Sequence, residues 1–256
     1  MYLLIMSFIG IGVGLVWYLL AHDHGRKMSP EMLWAAFGFG LLAVFIAVGL
    51  EMLLTPISLA TMSTYTLSQR FYNFLGVGFI EEAAKFVPLA IFVYKKGYFA
   101  QRTDGVIFFA ISGLTFGLGE NIMYTLLLGT KAGLLRMALV PFFHVATTSI
   151  LGYYLVSYKI SHSNKAKMIL ALVLVPLLHG LYDFGLSSGI VHFAIFSIMI
   201  TVLLSLGFFL YFMQANDLDK AQFVTVAASG GGFCTKCGSP KNSRAAFCTK
   251  CGQRYV

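Results

Sequence analysis

The chain carries few charges. Only 11% of its 256 residues are Asp, Glu, Lys or Arg, and ten are acidic. A soluble domain carries roughly 25%, so this chain cannot cover a water-facing surface with polar groups, and an ordinary soluble fold is excluded. Cysteine is missing from the first 233 residues; all four lie in the last 23, in two close pairs. That confinement argues for a metal site in a reducing compartment rather than for disulfides; the rival, two disulfides in the tail, would need the tail outside, against the loop charges. Met1–Leu20 lacks a basic start and an A-x-A-like site, so it reads as a first span and not as a cleavable signal. No repeat relates the two halves, which weighs against a transporter built from inverted repeats.

What is present is apolar. Hydrophobic residues make up 58% of the chain and the mean hydropathy is +0.81. A helix crosses a bilayer with roughly 20 mostly apolar residues. Seven stretches qualify, at 2–21, 33–54, 73–94, 104–128, 135–158, 167–187 and 190–213. The expected fold is an all-α polytopic membrane protein with about seven transmembrane helices. An eighth, re-entrant element could occupy the Ser- and Thr-rich stretch Thr55–Tyr72. Pro30 and Pro56 fall at boundaries; Pro88, Pro141 and Pro176 fall inside spans, where neighbouring helices must satisfy the freed carbonyls. Asp104 reads as an N-cap.

Loop charge gives an orientation. Arg26 and Lys27, then Lys95, Lys96 and Arg102, then Lys159, Lys165 and Lys167 mark alternate loops. The other loops offer Arg70, then Lys131 and Arg136, then nothing. The N-terminus is expected outside and the C-terminus in the cytosol of a cell membrane. The net charge of +8 suits anionic inner-leaflet lipid; a sequence-specific nucleic-acid partner is not expected.

Beyond the spans, 214–232 ends in Ser-Gly-Gly-Gly and reads as a flexible linker. The tail 233–256 carries Cys234, Cys237, Cys248 and Cys251 as C-x₂-C-x₁₀-C-x₂-C. This is the spacing of a tetrahedral zinc ribbon, with Gly238 and Gly252 permitting the knuckle turns. So short a segment has too little core to fold without its metal. The tail also holds five Lys and Arg residues and no acid, so a cytosolic protein or anionic lipid is its expected partner.

Several polar groups fall inside the spans: Glu81, Glu82, Lys85, Glu120, His144, His179 and Asp183. A charge at a helix centre costs about 2.5–3.5 kcal/mol even on the lenient insertion scale, so seven such groups need a reason. Counted from the expected span ends, most lie roughly eight residues, or about 12 Å, below the outer face. Glu51, near a span end, is expected to reach the interface. Spacing adds detail: Lys85 is i,i+4 from Glu81 and i,i+3 from Glu82, so it can neutralise one acid and leave the other as a base. His179 and Asp183 are i,i+4, so the carboxylate can orient the ring. Phe116, Glu120 and Tyr124 share one face, and Gly113, Gly117 and Gly119 allow close helix approach. Each feature alone suits helix packing as well as chemistry. Acids and histidines from four helices at one depth point to chemistry.

At these residues the chain resembles the PrsW family of intramembrane proteases. Its pattern of E-E-x-x-K, F-x-x-x-E-x-x-x-Y and H-x-x-x-D stands here as Glu81-Glu82-Ala-Ala-Lys85, Phe116 through Glu120 to Tyr124, and His179-Gly-Leu-Tyr-Asp183. His144 fits the family's further histidine. The resemblance covers about residues 70–190. Lys85 and Asp183 stand where the wider CAAX-prenyl-protease and bacteriocin-processing relatives tend to show Arg and Asn, which favours the narrower family. The resemblance implies cleavage of membrane-bound substrates such as anti-sigma factors near the outer face.

Amide hydrolysis needs an activated water and a stabilised oxyanion. On this reading Glu81 takes the water's proton, Glu82 and Lys85 tune it, and Glu120 and His144 complete the water site. His179, oriented by Asp183, donates to the oxyanion or the leaving amine. Zinc chemistry is equally compatible with Glu and His donors, so the catalytic metal stays open. No H-E-x-x-H motif or serine constellation is present. A proton-coupled transporter and a non-catalytic scaffold recruiting partners through the ribbon are the alternatives.

Overall fold

A computed structural model describes residues 2–23, 28–55, 64–96, 99–137, 139–162, 165–228, 232 and 234. Among these the chain forms α1 (Tyr2–Ala21), α2 (Pro30–Leu54), α3 (Leu67–Lys95), α4 (Arg102–Leu128), α5 (Thr130–Met137), α6 (Val140–Ser161), α7 (Lys165–Ser187) and α8 (Val191–Ala228), and no strand. Five of them, α1, α2, α4, α7 and α8, are long and apolar enough to cross a membrane by length and composition alone. The 29-residue α3 and 22-residue α6 are also long enough to cross, but α3 is diluted by Glu81, Glu82 and Lys85 and α6 by His144 and its Thr and Ser residues. Large apolar side chains such as Val13, Phe45 and Leu203 stand exposed on the outer helices, as lipid-facing residues do.

The bundle is built around α4, whose residues 103–117 are all buried. It packs most extensively on α6, while α3 packs on α7. Both contacts depend on glycine. A Cβ on Gly113 would collide with the carbonyl of His144, and one on Gly78 with the backbone of Gly180. Small residues let the backbones approach and replace the hydrophobic drive that lipid removes.

Local chemistry sets the helix ends. Ser29 caps α2, its hydroxyl accepting from Met32 N at 3.4 Å, with Pro30 next. Thr66 and Gln69 form a capping box at α3, with Thr66 N donating to Gln69 Oε1 at 2.9 Å. Asp104 is not the N-cap of α4. It is the third helical residue, and its Oδ2 accepts from Gln101 N at 3.1 Å and Ala100 N at 3.2 Å.

Three further expectations are corrected. The span expected at 135–158 begins at Val140, and Arg136 belongs to the short α5. Pro141 therefore sits in the first turn of α6, where its missing N–H is not required. The linker expected over 214–232 is helical to Ala228. The helix continues because Asp219, fully buried, caps α4 from outside, accepting from Thr103 N at 2.9 Å and pairing with Arg102 at 3.3 Å. The short extra helix lies between α4 and α6; much of the stretch Thr55–Tyr72 expected to hold one lies outside the described residues, and α3 begins at Leu67. Of the tail, Cys234 is buried; Cys237, Cys248 and Cys251, and with them the ribbon, lie outside the described residues.

Candidate active site

α3 contributes Glu81, Glu82 and Lys85, α4 contributes Phe116, Glu120 and Tyr124, α6 contributes His144, and α7 contributes His179 and Asp183. The four helices bring all of them together. Helical spacing accounts for the pairs within one helix; the pairs between helices follow from packing.

Lys85 is the centre of charge. Its ammonium, fully buried, donates to Glu82 Oε1 at 2.7 Å and to His144 Nδ1 at 3.0 Å, and lies 4.0 Å from Glu81 Oε2. The Phe116 ring covers it, with 4.5 Å from Nζ to the ring centre, an attraction that strengthens when water is excluded. Lys85 thus neutralises Glu82 and leaves Glu81 less satisfied.

The hydrogen bonds determine the tautomers. An ammonium cannot accept, so His144 Nδ1 accepts from Lys85, and His144 Nε2–H donates to Glu120 Oε2 at 2.8 Å. Glu82 Oε1 already accepts from Lys85, so His179 Nδ1–H donates to it at 2.7 Å. The carboxylate that orients His179 is therefore Glu82, across the α3–α7 contact, and not Asp183 as the i,i+4 spacing suggested. Asp183 Oδ2 instead faces the other nitrogen, His179 Nε2, at 3.3 Å, beside Glu81 Oε2 at 3.5 Å. With the proton on Nδ1, three acceptors converge. Glu81 Oε2 is buried without a hydrogen-bond partner. Such a cluster calls for a cation, either a proton or a metal.

The donors fit a metal. One ligand atom each from Glu81, His144 and His179 lie within 4.8 Å of one another, all three residues buried. Two imidazoles and a carboxylate suit zinc with an open position. His144 would exchange one of its present bonds for the ion, while Glu82 already holds the His179 tautomer that ligation needs.

The site opens into a cavity of roughly 520 Å³ walled by α2, α3, α4, α5 and α7. Glu81, Glu120 and Asp183 line it, with apolar Val44, Val48 and Met123 opposite. It extends to Thr55, Leu127 and Ser187 at the bundle end where α2, α4 and α7 finish. A polar cluster with an apolar-walled approach can hold an extended peptide and a water while excluding bulk solvent.

Two contributors were missed in sequence. Arg136 reads there as a loop charge. In the structure it lines the cavity from α5, donates from Nη2 to Glu120 Oε1 and from Nε to Asn121 Oδ1 at 3.1 Å, and lies 3.9 Å over the Tyr124 ring. The weak signal available was an isolated Arg eight residues before His144. Glu51, expected at the interface, is half-buried and lines the same cavity. Gly117 and Gly113 back onto His144, whereas Gly119 faces Val44 of α2.

Comparison with known proteins gives the same assignment. The model of the PrsW family intramembrane metalloproteases matches residues 28–213. The chain is 30% identical over 191 residues to a protein named Protease PrsW from Bacillus subtilis (strain 168), spanning 73% of this chain and 84% of that one. It is 34% identical over 148 residues to the Protease PrsW of Halalkalibacterium halodurans, covering 57% and 69% of the two chains. With that of Oceanobacillus iheyensis it shares 26% over 199 residues, covering 77% and 88%. No solved structure matches. A membrane bundle that gathers its intramembrane acids and histidines at one cavity, matched by the family model over most of its length, belongs to the PrsW family of intramembrane proteases.

Proposed function

We propose that Glu81, His144 and His179 form the reaction centre, and that the chain cleaves membrane-anchored proteins close to the outer face, as in a site-1 cut of an anti-sigma factor. The observation that carries this is the convergence of Glu81 Oε2, Asp183 Oδ2 and His179 Nε2 at the cavity's inner end. Glu81, whose side chain lines the cavity and whose buried Oε2 has no hydrogen-bond partner, supplies the negative charge that draws a proton from the attacking water. Glu82 and Lys85 hold the His179 ring and limit the repulsion on Glu81. The Arg136 guanidinium, which lines the cavity and uses only Nε and Nη2 in its bonds to Asn121 and Glu120, is the donor available to the developing oxyanion. The proton that Glu81 takes from the water can pass through His179 Nε2, 3.5 Å away and beside Asp183 Oδ2, to the leaving amine. A zinc ion held by Glu81, His144 and His179 would supply Lewis-acid polarisation of the carbonyl and a water acidic enough to ionise near neutrality.

The alternation of loop charges supports an outside N-terminus and a cytosolic C-terminus. That orientation puts the cavity mouth at the outer face. The cysteine spacing supports a cytosolic zinc ribbon at 233–256, which suits a docking module for a protein partner or anionic lipid.

The test is co-expression with single-span substrates carrying tagged ectodomains, comparing the natural chain with Glu81→Gln and Glu120→Gln at matched membrane levels. Cleavage near the outer face that Glu81→Gln abolishes supports the assignment. Full activity of that variant sinks it.

A further inference from the structure

At the opposite end of the bundle, α4 and α7 begin, α6 ends, and α8 passes by. A second cavity of roughly 420 Å³ lies between them, distinct from the protease cavity. Arg102 and Lys167 line it, together with the hydroxyls of Tyr153, Tyr154 and Tyr211. No carboxylate does. Arg102 is about 27 Å along α4 from Glu120, at 1.5 Å rise per residue.

The geometry points to a binding site for the phosphate of an anionic membrane lipid headgroup. The donors there exceed the acceptors. Asp219, behind the wall, engages Arg102 only through Nη1 at 3.3 Å, and a guanidinium has five N–H groups. Lys167 is exposed and makes no ion pair among the described residues. Neighbouring Lys159 is already committed to the carbonyls of Val93 and Lys96. Tyr154 and Tyr211 share one hydrogen bond at 2.6 Å, which uses one of their two protons. Tyr153 donates to Gln214 at 3.1 Å, with the buried Ser157 hydroxyl beside it at the wall. A phosphate, rich in acceptors and carrying charge, complements this set.

The position selects a lipid over a soluble phosphate. Basic pockets between transmembrane helix ends are the places where anionic headgroups dock. Nearer the middle of their helices than the pocket's Lys167 and Gln214, Leu170 of α7 and Leu210 of α8 are exposed, offering acyl chains apolar surface. This end also carries Lys95, Lys96, Lys159 and Lys165, which raise the local concentration of anionic lipid without belonging to the pocket.

The experiment uses the purified full chain in nanodiscs of phosphatidylcholine alone or with phosphatidylglycerol. Retained lipid is read by native mass spectrometry, and the melting temperature in parallel. Lys167→Gln is compared with Lys165→Gln, an exposed lysine on the same helix outside the pocket. Phosphatidylglycerol is expected to raise the melting temperature and remain bound to the natural chain and to Lys165→Gln. Lys167→Gln is expected to hold it at least tenfold more weakly while melting normally in phosphatidylcholine alone. Equal losses in the two variants would reduce the effect to surface charge and overturn the site, as would equal retention of phosphatidylcholine. In a separate arm, a matching shift with glycerol 3-phosphate or inorganic phosphate in phosphatidylcholine discs would overturn the lipid as the source.

Discussion

Arg136 and Glu120, 16 residues apart on separate helices, form one ion pair at the wall of the protease cavity. Glu120 uses its two oxygens in opposite directions, Oε1 toward Arg136 and Oε2 toward His144 Nε2 at 2.8 Å. Arg136 thereby sets the position of the histidine through the glutamate, and Tyr124 supports Arg136 from below.

Arg136→Lys should therefore lower cleavage about tenfold or more, because an ammonium cannot fork to Glu120 and Asn121 while lying flat on an aromatic ring. Tyr124→Phe keeps the ring face and should stay within about threefold of the natural chain, whereas Tyr124→Ala should resemble Arg136→Lys, the cation–π contribution being about 0.5–2 kcal/mol. Initial cleavage rates at matched membrane levels decide; a fully active Arg136→Lys would remove Arg136 from the site.

Gly117→Ala should damage the site without touching any ionisable group. Its Cβ would lie 2.8 Å from His144 Cδ2, forcing the ring off Lys85 and Glu120. The expected cost is about 1–3 kcal/mol in stability, with a larger loss of cleavage. Gly119→Ala meets only the Val44 side chain, at 3.0 Å, and should be milder in both a detergent melt and the cleavage assay.

Metal content separates the two proposed sites. The natural chain should bind zinc at the tail and at the Glu81–His144–His179 set. His179→Ala should remove about one equivalent and Cys248→Ser should independently remove another, as read by elemental analysis of purified protein. Unchanged zinc in His179→Ala would leave the intramembrane chemistry to the carboxylates alone.

Asp219→Asn should loosen α8 from α4 without altering the reaction centre. The buried carboxylate caps α4 through Thr103 N and pairs with Arg102, and losing hydrogen bonds to a charged group costs about 1.5–3 kcal/mol. The melting temperature should fall while cleavage per folded molecule persists at moderate temperature. Unchanged melting would show that α8 is held there by its apolar face.

What the sequence by itself determined is local. Long apolar runs set the helices, and the periods of three and four residues put Lys85 beside both glutamates, His179 beside Asp183, and Phe116, Glu120 and Tyr124 on one face. Alternation of the spans was enough to place the acids and histidines at one depth. The tertiary structure decided which partner each group takes. Glu82, and not Asp183, orients His179; Lys85 reaches His144 59 residues away; Glu81 Oε2 is left without a hydrogen-bond partner; and Arg136 moves from an expected loop into the cavity wall. Helical periodicity encodes neighbours within one helix, whereas these pairs cross between helices, where glycine contacts and the break before Pro141 set the approach. The same reasoning covers α8. Its polar stretch beyond 213 looked like a linker in sequence, and it stays helical because Asp219 finds the unsatisfied N-terminus of α4.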